Sequence, residues 1–189
     1  MRELPFAIEA ADNALTPIAR EALAELYEEI KHVSETIDSL LGRMGTLAKE
    51  DPAYARLQTI PGVGPVLAPM LLATVGHGQQ FDSGRDCAAW VGLVPKQNGT
   101  GGKIQLGGIS KNGDRLLRTL LIHGARAVIR WADKYDHAQS RWIKQLVERA
   151  GKNKAAVALA NKMMRMICAV LTQGVVFDMK KAFRPQPAR

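Results

Sequence analysis

"LQTIPGVGPVLAPMLLATVG", residues 57–76, is the stretch on which the fold turns. A short helical segment ends near Leu57, Pro61-Gly62-Val63-Gly64 follows, and a run of small and aliphatic residues comes after it. Two helices joined by a tight turn, a helix-hairpin-helix, is the reading that order supports. Such a turn points successive backbone N–H groups outward at a helix N-terminus, where one phosphate is held without reading base sequence. Glycine suits positions 62 and 64 because a side chain would block close approach of the phosphate. Pro61, Gly62, Val63 and Gly64 are therefore candidate DNA-binding residues, with an ordinary αα-hairpin turn as the competing reading. Pro69 predicts a kink or an early stop in the second helix.

Upstream, Asp51-Pro52 resets the chain after a long patterned segment. Thr16 reads as a helix cap and Pro17 as the first helical residue, with Glu21, Glu25 and Glu28 toward the positive end of the macrodipole. Apolar residues then recur at Leu23, Leu26, Ile30, Val33, Ile37, Leu40, Met44 and Leu47, at intervals alternating three and four. That is the heptad seam of a coiled coil. A helix over 17–49 would be on the order of 50 Å long. Its partner is either the same helix of another protomer, giving a homo-oligomer, or an antiparallel segment of this chain. Self-association is the preferred of the two. Gly42 and Gly45 predict fraying or a bend near its end.

The composition agrees with helices. Of 189 residues 47% are apolar, enough to bury a core, while aromatics make up only 5% and Ala and Leu abound. Residues 1–50 sum to −5 and residues 51–189 to +13, so the basic character belongs to the later part. A segment that basic suits a polyanion, nucleic acid above all, because each Lys or Arg on a phosphate releases condensed counterions. A merely solvated basic surface is the alternative. Cys87 and Cys168 stand far apart in apolar runs, which argues against a disulfide framework or a zinc spacing. With neither a leader pattern nor an apolar run near the roughly 20 residues of a membrane span, the expectation is a soluble, cytoplasmic protein. The predicted class is all-α: a coiled-coil helix in residues 1–50, a helical domain in 51–175 with at most a short hairpin, and a basic, largely disordered tail in 176–189.

Downstream, Ser83 and Asp86 have capping-box spacing ahead of a short helix that closes at Gly92, with Trp90 read as core. Residues 95–109 are glycine-rich, with at most a strand or hairpin at Lys103–Leu106, and a loop that long is commonly functional. Next comes "GGISKNGDRLLRTLLIHGARAVIR", residues 107–130. With Ser110 at or just before the helix start, Arg115, Arg118, Arg126 and Arg130 project within about 120°, and Lys111 joins them. Leu116, Leu120 and Leu121 are expected on the opposite, core-facing side. Two readings of Ser110 stand open: a helix N-cap, or a nucleophile whose phosphoryl target is stabilised by N–H groups and arginines. Asp114 is either a proton acceptor or a helix acid, and His123 is three turns away. Two helices close the domain, one over about 139–149 and one over about 155–173, and Asn161 and Lys162 interrupt the apolar face of the latter.

"LQTIPGVGPVLA", "FDSGRDCAAWVGLVPKQNGTGGKIQLGGISKNGDRLLRTLLIHGARA" and "AAVALANKMMRM" resemble the C-terminal transposase domain of the insertion-sequence transposases of the IS110 type, which work with a bridge RNA. The resemblance runs from residue 57 to about 174, and the heptad helix resembles the coiled coil that precedes that domain. It implies DNA strand exchange by an oligomer, with Ser110 as the nucleophile that links covalently to DNA. Arg115 and Arg118 would then neutralise the attacked phosphate, while Lys103, Lys111, Arg126 and Arg130 would extend the DNA-binding surface. The family also carries a resolvase-like nuclease domain that holds magnesium through four carboxylates. Nothing in this sequence resembles that domain, so the expectation is a chain without its own metal or cofactor, in which phosphoryl transfer needs the other half. A non-catalytic DNA-binding module is the alternative function.

Overall fold

The computed structural model describes residues 4–10, 13–100 and 103–184. They form two units that divide between Thr46 and Leu47. The first holds α1 (Leu4–Glu9) and most of α2 (Pro17–Ala48). Thr16 caps α2, its Oγ1 accepting from the Ala19 N–H at 3.3 Å. Arg20 ties the two helices together, donating to the carbonyls of Ile8 and Ala10 and to the Asn13 side chain. Contrary to expectation, α2 runs unbroken through Gly42 and Gly45. Its heptad seam lies open: Leu26, Ile30, Val33, Ile37 and Leu40 are about half exposed among the described residues.

The second unit contains α3 (Pro52–Gln58), α4 (Leu67–Val75), α5 (Gly84–Trp90), the strands β1 (Pro95–Thr100) and β2 (Lys103–Ile109), α6 (Arg115–Trp131), α7 (Ala138–Ala150), α8 (Lys152–Gln173) and α9 (Met179–Ala182). The sequence explains most of the starts. Asp51, Ser83, Asp114 and His137 each accept a hydrogen bond from an N–H of the first turn of α3, α5, α6 and α7. The stops use glycine: Gly151 separates α7 from α8 in a positive-φ conformation, and Gly174 ends α8 in the left-handed region.

α8 is the central element, packed against α3, α5, α6 and α7. By length and composition it could cross a membrane, but half of its 22 residues are buried inside the protein. Core position accounts for its apolarity. Cys87 and Cys168 lie buried and unbridged. Burial, and then hydrogen bonding with Cys168, pushes the Cys87 thiol up.

Several expectations fail for local reasons. Pro69 neither kinks nor stops α4, because it is the third residue, where no intrahelical acceptor is lost, and it is buried. On α6 the core-facing residues are Leu117, Leu121 and Ala125, while Leu116 is 54% exposed. Trp90 packs edge-on to Phe81 at 5.7 Å, yet stays 39% exposed. The expected short hairpin is longer: β1 and β2 pair antiparallel along their length, with a register shift between Pro95 and Gln97. Finally, the expected disordered tail is ordered through Arg184, with Phe183 buried and edge-on to Trp142 at 5.6 Å. Residues 185–189 lie outside the described residues.

Candidate nucleic-acid interface and serine loop

The hairpin turn joins α3 to α4 through residues that do two different things. Val63 is buried and donates to the Ile60 carbonyl at 3.0 Å, closing the turn. Gly62 has φ +90° and faces inward: a Cβ there would stand 2.8 Å from Met163 Cε and 2.9 Å from the Gly124 carbonyl. Its freedom serves packing of the turn on α6. Gly64 differs, since a Cβ there would meet nothing within 4 Å. Among the described residues no acceptor meets the N–H groups of Gly64 and Val66, and α4 has no side-chain cap. The turn thus presents free donors at the positive end of a nine-residue helix, with Pro61 half-buried beside them.

The serine loop is built by backbone contact. Ser110 leaves β2 with its N–H on the Val94 carbonyl at 2.8 Å, and Lys111 donates to Gly92 at 3.1 Å. The loop then lies so close to the end of α5 that two glycines are obligatory. A Cβ on Gly92 would fall 2.1 Å from the Asn112 oxygen, and one on Gly113 1.9 Å from the Trp90 oxygen. Lys111 is exposed and adopts φ +58°, a left-handed conformation unusual for a side chain of its kind.

Ser110 does not cap α6. That role belongs to Asp114, whose Oδ1 accepts from the Leu117 N–H at 2.7 Å. Asp114 is thereby engaged as a helix acid. The Ser110 Oγ is shielded from solvent and, among the described residues, has no hydrogen-bond partner. A hydroxyl in that state forgoes about 1–3 kcal/mol, and a water, an ion or a reacting group would each satisfy it.

The four arginines of α6 part company. Arg118 is buried at 9% exposure, and its Nη1 donates to the Val91 carbonyl at 2.9 Å and lies against the Asn112 carbonyl at 3.4 Å. It holds the serine loop onto α5 rather than standing free for a phosphate. Arg115, Arg126 and Arg130 are exposed. Arg126 and Arg130 line a hollow between α6 and α7 together with Lys144, Asp133 and Glu148. Lys103 lies in β2, and its side chain falls outside the described residues. His123 is exposed on α6, far along the helix from the loop.

Among the described residues no group of three His, Cys, Asp or Glu stands close enough to hold a metal ion. The magnesium that the resemblance implies therefore has no donor set in the described residues.

Residues 54–141 match the profile described as the Transposase IS116/IS110/IS902 family. The matched segment contains the hairpin turn, the ribbon, the serine loop and α6. These residues form a transposase domain of the IS116/IS110/IS902 family. Similarity to curated proteins extends further. A probable family 20 transposase of Pseudomonas aeruginosa is 44% identical over 153 residues, which is 81% of this chain and 45% of the relative. The transposase for insertion sequence element IS1111A of Coxiella burnetii is 43% identical over 171 residues, 90% of this chain and 47% of the relative. A pilin gene-inverting protein of Moraxella lacunata is 30% identical over 158 residues, 80% of this chain and 48% of the relative. The chain spans about half the length of the curated relatives it matches.

Against this family background, two features of the transposase domain were missed from sequence. Arg118 reads as one more basic residue, and only its projection about 20° from the buried Ala125 marks it as internal. Gly124, in mid-helix, signals the close approach of the Gly62 carbonyl, to which a Cβ would stand at 2.2 Å.

Proposed function

We propose that this chain supplies the DNA-gripping and strand-cleaving part of a transposase, with Ser110 as the nucleophile. The observation that carries the reading is the Ser110 hydroxyl, shielded and unpartnered on a loop fixed by two obligatory glycines and Arg118. In the reaction the Oγ–H attacks phosphorus. A P–Oγ ester forms, the bond to one deoxyribose oxygen breaks, and that oxygen takes up the proton that Oγ loses. Exchange of one phosphoester for another needs no external energy source, so a second strand's hydroxyl reverses the step at a new junction. Arg115 and Lys111 flank the loop as the cations nearest in sequence for the attacked phosphate. The Gly64 and Val66 N–H groups hold the backbone of the same DNA, and Arg126 and Arg130 extend the contact along α6.

Catalysis in this reading is shared. The described residues offer no base beside Ser110, so the base, the magnesium and the recognition of a bridge RNA are assigned to the further protein that longer relatives possess. The open seam of α2 pairs with a second copy, which brings two serine loops into one assembly. Replacing Ile30 and Ile37 with Asp should reduce the native mass to one protomer; an unchanged mass refutes the pairing.

The decisive experiment compares wild type and Ser110→Ala for covalent protein–DNA adduct on denaturing gels, in the presence of the part of a longer relative that lies outside its similarity to this chain, and of that relative's RNA. Adduct is expected with wild type and absent with the variant. Because the buried hydroxyl has no partner, the variant should be no less stable than wild type, with a gain of up to about 1–3 kcal/mol, while DNA affinity stays nearly unchanged. Adduct with both proteins would dismiss Ser110. The missing base also favours a second reading, a DNA-binding module without chemistry; DNA binding without adduct in any mixture selects it.

A further inference from the structure

A second concentration of positive charge lies on the outward face of α8, unused by the hairpin turn and the serine loop. Two adjoining hollows of about 810 and 970 Å³ share Lys162, Arg165 and Lys181 along their common edge. Arg85 lines the first. Arg141 lines the second but is paired with Asp136 at 3.2 Å. Asp178 is the one carboxylate among the lining residues, and it is engaged in capping α9. Among the described residues, Arg85, Lys162, Arg165 and Lys181 have no carboxylate at ion-pair distance.

Lys162 is the most constrained of these. Its Nζ stands 4.6 Å from the centre of the Phe183 ring and 5.4 Å from that of Trp142. Burial, and then the charge of Arg165, lowers its pKa. Two ring faces thus hold the ammonium in place while no anion within the chain neutralises it, an arrangement that gains most when a phosphate arrives.

The groove is separate from the hairpin turn. Gly62 packs over Met163, which projects about 100° away from Lys162 around α8. It does approach the serine loop. Asn161, which lines the second hollow, donates from Nδ2 to the Leu93 carbonyl at 3.1 Å, and the next carbonyl along, that of Val94, accepts the Ser110 N–H.

We propose that the groove around Lys162 and Arg165 is a second phosphate-binding track, which holds a single strand of nucleic acid leading to Ser110. The choice of a single strand follows from a cationic groove with aromatic side chains in its lining, in contrast to the backbone donors of the turn. The inference rests on the reading of this chain as a nucleic-acid enzyme, and the test separates the two. Fluorescently labelled single-stranded DNA, single-stranded RNA of the same sequence and duplex DNA are titrated at several salt concentrations against wild type and Lys162→Gln/Arg165→Gln.

For the double variant, single-strand binding should weaken about tenfold and the salt slope should flatten by about 1.4, at roughly 0.7 per phosphate contact. Loss in the DNA arm or in the RNA arm supports the track and names the strand. Duplex binding through the turn should hold within about twofold. Equal affinity and slope for variant and wild type, or wild type that binds duplex but no single strand, overturns the track alone. Wild type that binds none of the three overturns the parent reading as well. Arg85→Gln/Arg165→Gln, both exposed, repeats the test if thermal melting shows the first variant unfolded, and it should weaken single-strand binding in the same direction.

Discussion

The hairpin turn at 60–66 and the serine loop at 110–114 look alike in sequence and differ in what their polar groups are free to do. Each is a glycine-marked turn before a helix, and each reads as a cradle for phosphate. In the turn, Gly62 is consumed by packing, but Gly64 faces open space and two N–H groups have no acceptor among the described residues. At the loop both close-packed glycines are consumed, Gly113 of the loop against Trp90 and Gly92 after α5 against Asn112, and the buried arginine is spent on carbonyls. One has donors to offer. The other is a rigid mount with a single unengaged hydroxyl.

If that contrast is right, the loop should fail by losing structure. Gly113→Ala forces a Cβ to 1.9 Å from the Trp90 oxygen at φ +88°, where neither backbone can yield. The expected cost is on the order of 4 kcal/mol or more, and adduct formation should disappear with it. Chemical denaturation checks the first part and the denaturing gel the second. A variant of near-normal stability would mean that the loop and the end of α5 do not touch as described, and the mount would lose its physical basis.

The arginines of α6 show where sequence reasoning stopped. Projection on a helical wheel groups all four within one sector, and charge alone assigns them to a phosphate. Helical projection fixes the angles between residues but not which side meets the core, and that side is set by the elements packed on α6. Leu117, Leu121 and Ala125 form the inward stripe, and Arg118 lies at its edge, about 20° from Ala125. What was legible depended on local signals: the Thr16-Pro17 start of α2, the Asp51-Pro52 reset ahead of α3 and the Ser83 cap of α5. The rest depended on contacts between distant segments, such as Gly62 on Gly124 or Phe183 on Trp142, for which one sequence carries only composition. The ordered tail shows this plainly, since "KKAFRPQPAR" is polar but for one phenylalanine, and that residue anchors it.

The two glycines of the hairpin turn sharpen the comparison within a single motif. Gly62→Ala pushes a methyl into Met163, Val128 and the Gly124 carbonyl at positive φ. Methionine and valine can shift but the carbonyl cannot, so about 3 kcal/mol of stability should be lost. Gly64→Ala meets no atom within 4 Å and lies outside the left-handed region. Its stability should change by less than about 1 kcal/mol, toward gain, because alanine restricts the unfolded chain. Its methyl would nevertheless stand where a phosphate must come close to the free N–H groups. Duplex affinity should therefore fall roughly tenfold, about 1.4 kcal/mol. Parallel melting and anisotropy measurements on the two variants distinguish packing from binding. If Gly64→Ala binds duplex as well as wild type does, the turn is a helix connector whose glycines serve the fold alone, and the proposed grip on duplex falls to α6.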